Sequence, residues 1–398
     1  MLRIINRSVL KQSLLALSFD LGGLLAGRLA IVFTPFLEAA PWILALFPAM
    51  ITVRGTIGGI LAGRLSTMLH TGEIEPRLRG NTPQFYSFVR SIFSLTFIDS
   101  LLIGSLSFVV NLLVGVTNLQ DAPYFLAISV LTCMISVIIG APIASLAAIT
   151  VFKKGLDPSI LVYPLMSTAE DILVTALYVV IVQLALLRDS LIGIGIMIFI
   201  MLIFFLFMIA NHRKERVFRR TLVEGVPAVF LTSLLGTLGG TVLASLKEQI
   251  EEIPSILVLY PALIDTLGDI GSILGSLQTA KLALGYVQSF RNMFKEALVD
   301  LTSVELAAFF MHIAFGITTF LLGLATGLNP NLMLLISIAL ITNIISFFVI
   351  SLLSLATAIQ TFRLGLDPDN LVIPLVTSVS DLIATTSLWS VVRTLGVG

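Results

Sequence analysis

The sequence predicts an all-α polytopic membrane protein, and three observations carry that prediction. Hydrophobic residues make up 57% of the 398 and charged residues only 12%, against roughly a quarter charged in soluble globular domains. Apolar runs of the roughly 20 residues needed to cross hydrocarbon follow one another along almost the whole chain. Long segments also match each other at a nearly constant offset, so one helical design is used twice.

The spans read, in order, 13–37, 41–66, 85–116, 123–151, 159–187, 190–211, 222–246, 254–282, 304–327, 331–361 and 370–394, eleven in all. The first follows Arg3, Arg7 and Lys11 and has the look of a secretory signal. Its counterpart inside the chain argues that it is retained. The polar connections 67–84 and 283–303 are the longest, and no soluble regulatory domain fits between spans. Lys plus Arg equals Asp plus Glu at 23 each, which leaves no basic surplus for nucleic acid. The lone Cys133 excludes a disulfide framework and an iron–sulfur cluster. The three histidines form no HExxH zinc motif.

Orientation follows from the cationic side chains, with alternate connections on opposite sides. The N-terminal segment and the connections carrying Arg77/Arg79, Lys153/Lys154, Arg213 to Arg220, Arg291/Lys295 and Arg363 hold most of them. Arg188, Lys247 and Arg393 lie on the other side. A multi-pass protein of the cell membrane is expected, N-terminus cytoplasmic and C-terminus external.

The strongest internal match pairs GLDPSILVYPLMSTAEDI (155–172) with GLDPDNLVIPLVTSVSDL (365–382), offset 210. FPAMITVRGTIGGIL (47–61) pairs with YPALIDTLGDIGSIL (260–274) at offset 213, and FDLGGLLA (19–26) more weakly with TLGGTVLA (237–244). The domain reading is a first five-span repeat over 1–188, a linking helix with a basic loop over 189–220, and a second repeat over 221–398. Five spans would invert the second copy, and the helix at 190–211 restores it, so the repeats are expected to be parallel, about an axis along the membrane normal.

A carboxylate at the centre of a span costs on the order of 2.5–3.5 kcal/mol on insertion scales, so each one needs a reason. Seven stand there: Asp20, Asp99, Glu170, Asp171, Asp265, Asp269 and Asp381. No Lys or Arg is clearly placed to neutralise them, although Arg28, Arg54 and Arg64 are candidates in the first half. A bound cation would supply the missing charge. Asp171 and Asp381 are repeat equivalents, on helices that also carry Pro164 and Pro374. A proline disturbs the bond to the carbonyl four residues earlier, at Ile160 and Asn370, and a freed carbonyl is a hard oxygen ligand. The competing structural reading is a kinked, packed helix whose aspartates bond nearby hydroxyls.

Asp265 and Asp269 lie four apart, on one helical face, among Gly268, Gly271 and Gly275. Their equivalents are Thr52 and Thr56, so the second half is the more acidic. Glycines serve tight helix packing equally well, but packing does not explain the acids. Asp20 sits near a helix end, and Asp99, whose counterpart is His312, reads either as a second ion site or as a packed, hydrogen-bonded group. Glu170, one residue from Asp171, points about 100° away. Asp157-Pro158 and Asp367-Pro368 read as N-caps with Pro at N1.

These segments resemble the MgtE-type magnesium transporters, specifically the tandem-repeat branch of prokaryotic MgtE-like proteins and related eukaryotic solute carriers. The resemblance rests on PAMITVRGTIGGILAGRLSTMLHTG (48–72), PALIDTLGDIGSILGSLQTAKLALG (261–285) and the segments ending at Asp171 and Asp381. It implies a two-fold pore of five-span units in which an Asp of the fifth helix, here Asp171 and Asp381, binds a largely hydrated Mg²⁺. The family's Gly-Asn step falls on Gly55-Thr56 and Gly268-Asp269, and neither keeps the Asn. Mg²⁺ is usually held by one or two carboxylates while keeping several waters, which suits two Asp with the hydroxyls of Ser167, Thr168, Thr377 and Ser378. Sulfur and imidazole ligands are scarce, so Zn²⁺ and Cu⁺ are disfavoured, while Mn²⁺ and Co²⁺ stay open.

The expected function is transport of a divalent cation, Mg²⁺ first, with channel and exchanger both open. Asp20, Asp99 and His312 are the candidates for a second coupled site. The alternative is a Na⁺- or H⁺-coupled carrier of an organic solute that uses the same carboxylates for its coupling ion. An intramembrane aspartyl protease would need GxGD, and Leu267-Gly268-Asp269 lacks the first glycine, so no enzyme is expected. The partners are the ion and the lipid bilayer. Both repeats lie on one chain, so a monomer suffices in principle and a homodimer stays open.

Overall fold

Proline at the first helical position marks the start of three long helices, where its missing N–H costs nothing and its fixed φ is already helical. α4 (Pro83–Val114) opens this way behind Thr82, whose hydroxyl accepts from Phe85 N, and closes at Gly115 with φ 84. α6 (Pro158–Ala185) and α13 (Pro368–Thr394) also open at proline. The proposed caps Asp157 and Asp367 lie outside the described residues. The computed structural model describes residues 5–38, 40–154, 158–187, 190–283, 290–363 and 368–396. All regular structure among them is helical.

The remaining helices are α1 (Arg7–Ser18), α2 (Gly23–Ala30), α3 (Trp42–His70), α5 (Ala122–Lys153), α7 (Ser190–His212), α8 (Arg216–Ala244), α9 (Lys247–Glu252), α10 (Ser255–Ala283), α11 (Phe290–Ala325) and α12 (Leu332–Arg363). Ten segments of described residues are long and apolar enough to cross a membrane. The eleventh expected span, 370–394, corresponds to α13, whose 27 residues reach about 40 Å at 1.5 Å per residue. The first span is not one regular helix: a 3-10 stretch, Phe19–Gly22, separates α1 from α2 and carries Asp20. The connection read over 283–303 is helical from Phe290 on, as the start of α11.

The chain forms two compact units, and their borders differ from the sequence repeats. One comprises 1–34 with 245–398, the other 35–244. In the first, α1 packs on α11, α2 packs on α10, and α10 is flanked by α12 and α13. In the second, α8 packs on α3 and α4, and α5 and α6 complete the group. Each unit thus takes its first span from the other sequence repeat.

Two glycines on each first span make this packing close. Side chains there would strike backbone: a Cβ on Gly23 would come 2.9 Å from Ala262 N, and one on Gly236 would come 2.8 Å from Ala49 Cα. One turn later Gly27 lies against the Val258 carbonyl and Gly240 against the Ala45 carbonyl. Small residues four apart let helices approach this way where lipid offers no hydrophobic drive. The contacts put the first spans in register at offset 213, Gly23 with Gly236 and Gly27 with Gly240, rather than in the register of the FDLGGLLA match.

Hydroxyls fasten the second span of each unit to its neighbours. Tyr178 on α6 donates to the Ile43 carbonyl of α3 at 2.8 Å, and Tyr260 on α10 meets Thr385 on α13 at 2.9 Å. Ser354 on α12 donates to the Gly271 carbonyl at 3.0 Å. α7 remains peripheral, with Ile192, Phe199 and Phe207 exposed.

Candidate functional site

In the unit 35–244 the acidic groups gather around one arginine. Arg54, on α3, places Nη2 2.6 Å from Glu170 Oε2 on α6, and each side chain is 3% exposed. The pair fits because two helices present glycine to it. A Cβ on Gly58 of α3 would come 2.7 Å from Glu170 Oε2, and one on Gly140 of α5 would come 3.3 Å from Oε1 and 3.5 Å from Arg54 Nη2. This corrects the expectation that no cation is clearly placed among the buried carboxylates. The sequence could not decide it, because the partners stand 116 residues apart on different helices.

Asp99, on α4, is buried and accepts from Ser233 Oγ of α8 at 2.9 Å. Its other oxygen, Oδ2, is buried without a hydrogen-bond partner. Arg54 also lies within electrostatic range of Asp99. Asp171 is buried on α6 beside Glu170, while Ser167 and Thr168 are half-buried one turn earlier. Thr52 is buried under α8, where a Cβ on Gly236 would come 3.4 Å from its Cβ. Thr56 is half-buried with its hydroxyl 3.5 Å from the Thr52 carbonyl. Gly55 has no side-chain or backbone neighbour within 4 Å of a built Cβ.

In the unit of 1–34 and 245–398 the equivalent positions are filled differently. Asp381 and Thr377 on α13 lie over Gly268 of α10: a built Cβ there would be 3.4 Å from Asp381 Oδ1 and 3.8 Å from Thr377 Cβ. Three expected site residues are thereby brought together, and Asp269 follows Gly268 in the chain. Ser378 is buried one turn before Leu382. The equivalents of Arg54, Gly58, Gly140 and Glu170 are Leu267, Gly271, Ile350 and Ser380. A Cβ on Gly271 would meet Ser380 Oγ at 3.0 Å and Ile350 Cγ2 at 3.1 Å. A hydroxyl and an isobutyl group thus replace the ion pair.

Asp20 is 5% exposed and accepts from Thr266 Oγ1 of α10 at 2.6 Å. It lies within electrostatic range of Asp265 and Asp269, which act on each other as well. Three carboxylates therefore share one region of this unit. In the register set by the glycines, their counterparts in the other unit are Ser233, Thr52 and Thr56. His312 is buried, with Nδ1 2.8 Å from its own helix's Ala308 carbonyl and Nε2 buried without a hydrogen-bond partner. Pro164 and Pro374 fall inside α6 and α13, but their side chains lie outside the described ones. Among the described residues no three His, Cys, Asp or Glu side chains converge closely enough to cage a metal.

A polytopic helical protein with two glycine-packed units and carboxylates buried in its spans belongs among membrane ion-handling proteins. The particular family is set by comparison. The model of the MgtE divalent cation transporters matches residues 47–181 and 260–391, two thirds of the chain, and the protein belongs to that family. Solute carrier family 41 member 3 of Mus musculus is similar, 21% identical over 380 residues that span 87% of this chain and 74% of the relative. No solved structure matches the chain.

Proposed function

We propose that this divalent cation transporter carries Mg²⁺ through a site to which the fifth helices of both repeats contribute, Asp171 from one and Asp381 from the other. The observation that carries the reading is the setting of Asp381 and Thr377 against Gly268: a carboxylate and a hydroxyl-bearing residue face a helix position without a side chain, and the next residue along that helix is a further carboxylate, Asp269. A hydrated ion needs that combination, since Mg²⁺ keeps most of its water and takes only one or two carboxylates. Ser167, Thr168 and Ser378 supply further oxygens near the two aspartates. Asp265, with Asp20, raises the negative potential within the unit of 1–34 and 245–398 and favours entry of a cation.

The repeats are parallel in this proposal, with the N-terminus cytoplasmic and the C-terminus external, and one chain holds a complete site. Passive uptake draws on the membrane potential, worth about 4.6 kcal/mol per divalent ion at 100 mV. Mn²⁺ and Co²⁺ share the oxygen preference and are the competitors to test. Coupled transport of an organic solute is disfavoured by membership of a divalent cation family.

Mg²⁺ calorimetry on purified wild type, Asp171→Asn, Asp381→Asn and the double variant tests the site, with proteoliposome flux alongside. Loss of binding in either single variant, with the unfolding temperature unchanged, is the expected result. Undiminished binding in the double variant would sink the shared site and move attention to Asp265 and Asp269.

A further inference from the structure

Away from the buried acids, a cavity of about 870 Å³ opens at one end of the unit 35–244. Arg64 from α3, Arg90 from α4, and Arg216 and Arg220 from α8 line it, against only two carboxylates, Glu73 and Glu215. Two of the four arginines are already engaged: Arg90 Nη1 lies 3.4 Å from Glu215 Oε1, and Arg220 Nε lies 2.7 Å from Glu224 Oε1. Among the described residues Arg64 and Arg216 enter no ion pair, and Arg64 Nε is buried without a hydrogen-bond partner. The cavity therefore carries surplus guanidinium charge drawn from separate helices.

Its wall is built rather than incidental. The connection 73–82 is tied by Asn81, whose side chain accepts from Glu75 N at 2.9 Å and donates to the Glu75 carbonyl at 2.8 Å. Thr82 Oγ1 donates to the Glu73 carbonyl at 2.9 Å. Opposite, His212 Nδ1 and Glu215 Oε1 lie 2.7 Å apart, fixing the turn from α7 into α8. Such preorganisation reduces the ordering cost of binding. The feature is also private to one repeat: at offset 213 the equivalents of Arg64 and Arg90 are Leu277 and Ser303.

We infer that this cavity binds a phosphate-bearing anion. Guanidinium forks match phosphate oxygens bidentately, and basic pockets at the membrane edge between helices suit anionic headgroups. Two sources share that chemistry, the headgroup of an anionic phospholipid and a free phosphate. The neighbouring α7, exposed to lipid along Phe199 and Phe207, gives a headgroup in this cavity a surface for its acyl chains.

The test uses the full-length protein in non-ionic detergent, with the unfolding temperature as readout. Inorganic phosphate and dihexanoyl phosphatidylglycerol are added separately, with dihexanoyl phosphatidylcholine as the zwitterionic comparison. A ligand at one hundred times its dissociation constant is expected to raise Tm by about 4 °C, and Arg64→Gln/Arg216→Gln to abolish the rise. Arg363→Gln, at an exposed position elsewhere, keeps it. A rise with phosphatidylglycerol alone assigns the site to a lipid headgroup, whereas a rise with inorganic phosphate as well assigns it to free phosphates. Arg216→Gln, an exposed change that leaves folding intact, is expected to move the half-maximal concentration upward several-fold. The inference is overturned if neither anion raises Tm, if phosphatidylcholine does as well as phosphatidylglycerol, or if the variants respond like wild type.

Discussion

Arg54 and Glu170 form an ion pair inside a membrane-spanning unit, 2.6 Å apart and 3% exposed on each side, where the other repeat has Leu267 and Ser380. Removing one member of a buried pair strands the other charge and costs on the order of 3–5 kcal/mol, whereas replacing both with a packed neutral pair can be neutral. Arg54→Leu and Glu170→Ser alone are therefore each expected to lower the unfolding temperature strongly. The double variant, which copies the other repeat, recovers most of the loss. Additive losses in this cycle would show that the two side chains act independently.

The glycine crossings predict a sharp contrast within one protein. Gly240→Val drives a side chain into the Ala45 carbonyl and is expected to cost about 1–3 kcal/mol or more by overpacking. Gly63→Ala, which would meet nothing within 4 Å, is expected to stabilise by about 0.5–1 kcal/mol as a helix-interior glycine replaced by alanine. Thermal unfolding of both in the same detergent decides, and equal effects would refute the crossing.

At Gly268 the expected effect falls on transport. Gly268→Ala places its methyl 3.4 Å from Asp381 Oδ1, an ordinary contact that leaves the fold intact but takes space from an ion and its waters. Mg²⁺ flux is expected to fall several-fold with Tm unchanged. Gly55→Ala, with open space around it, serves as the comparison and is expected to have the smaller effect.

Asp20, Asp265 and Asp269 lie within electrostatic range of one another inside the spans, so that ionising them together trades stability for a negative field. Asp20→Asn is expected to raise Tm in the absence of divalent ions and to shrink the further rise that Mg²⁺ produces. A lower Tm without divalent ions would mean that the Thr266 bond outweighs the repulsion.

Outside the spans, Glu215 yields a pH dependence. Burial works against its ionisation, but the nearby Ser87 hydroxyl, the hydrogen bond with His212 and the charges of His212 and Arg90 outweigh it and hold the carboxyl below its usual 4.5. A carboxylate with a lowered pKa stabilises above its unfolded value and loses that contribution as pH falls through the folded one. Glu215→Gln is expected to destabilise slightly at pH 7 and to flatten the loss of stability below about pH 4.5. Parallel acid-unfolding curves for the two proteins would count against it.

Much of this molecule is legible in its sequence because the bilayer imposes a simple code. Runs of about twenty apolar residues mark spans, since every backbone group must be satisfied within a helix, and ten such segments, with α13 beside them, follow the expected order. The matches at offsets 210 and 213 lead to the MgtE family, whose model covers the same two regions. A carboxylate in an apolar run is conspicuous for the same reason.

What the sequence left open is which span packs on which, because in hydrocarbon one apolar helix face is chemically much like another and specificity resides in small residues and in hydrogen bonds. Only the tertiary structure shows each first span joined to the other repeat's helices through Gly23/Gly27 and Gly236/Gly240. Only it pairs Arg54 with Glu170, Asp99 with Ser233 and Asp20 with Thr266. Each pair joins helices distant in the chain, and its partner was chosen by contact geometry, which no local pattern of residues encodes.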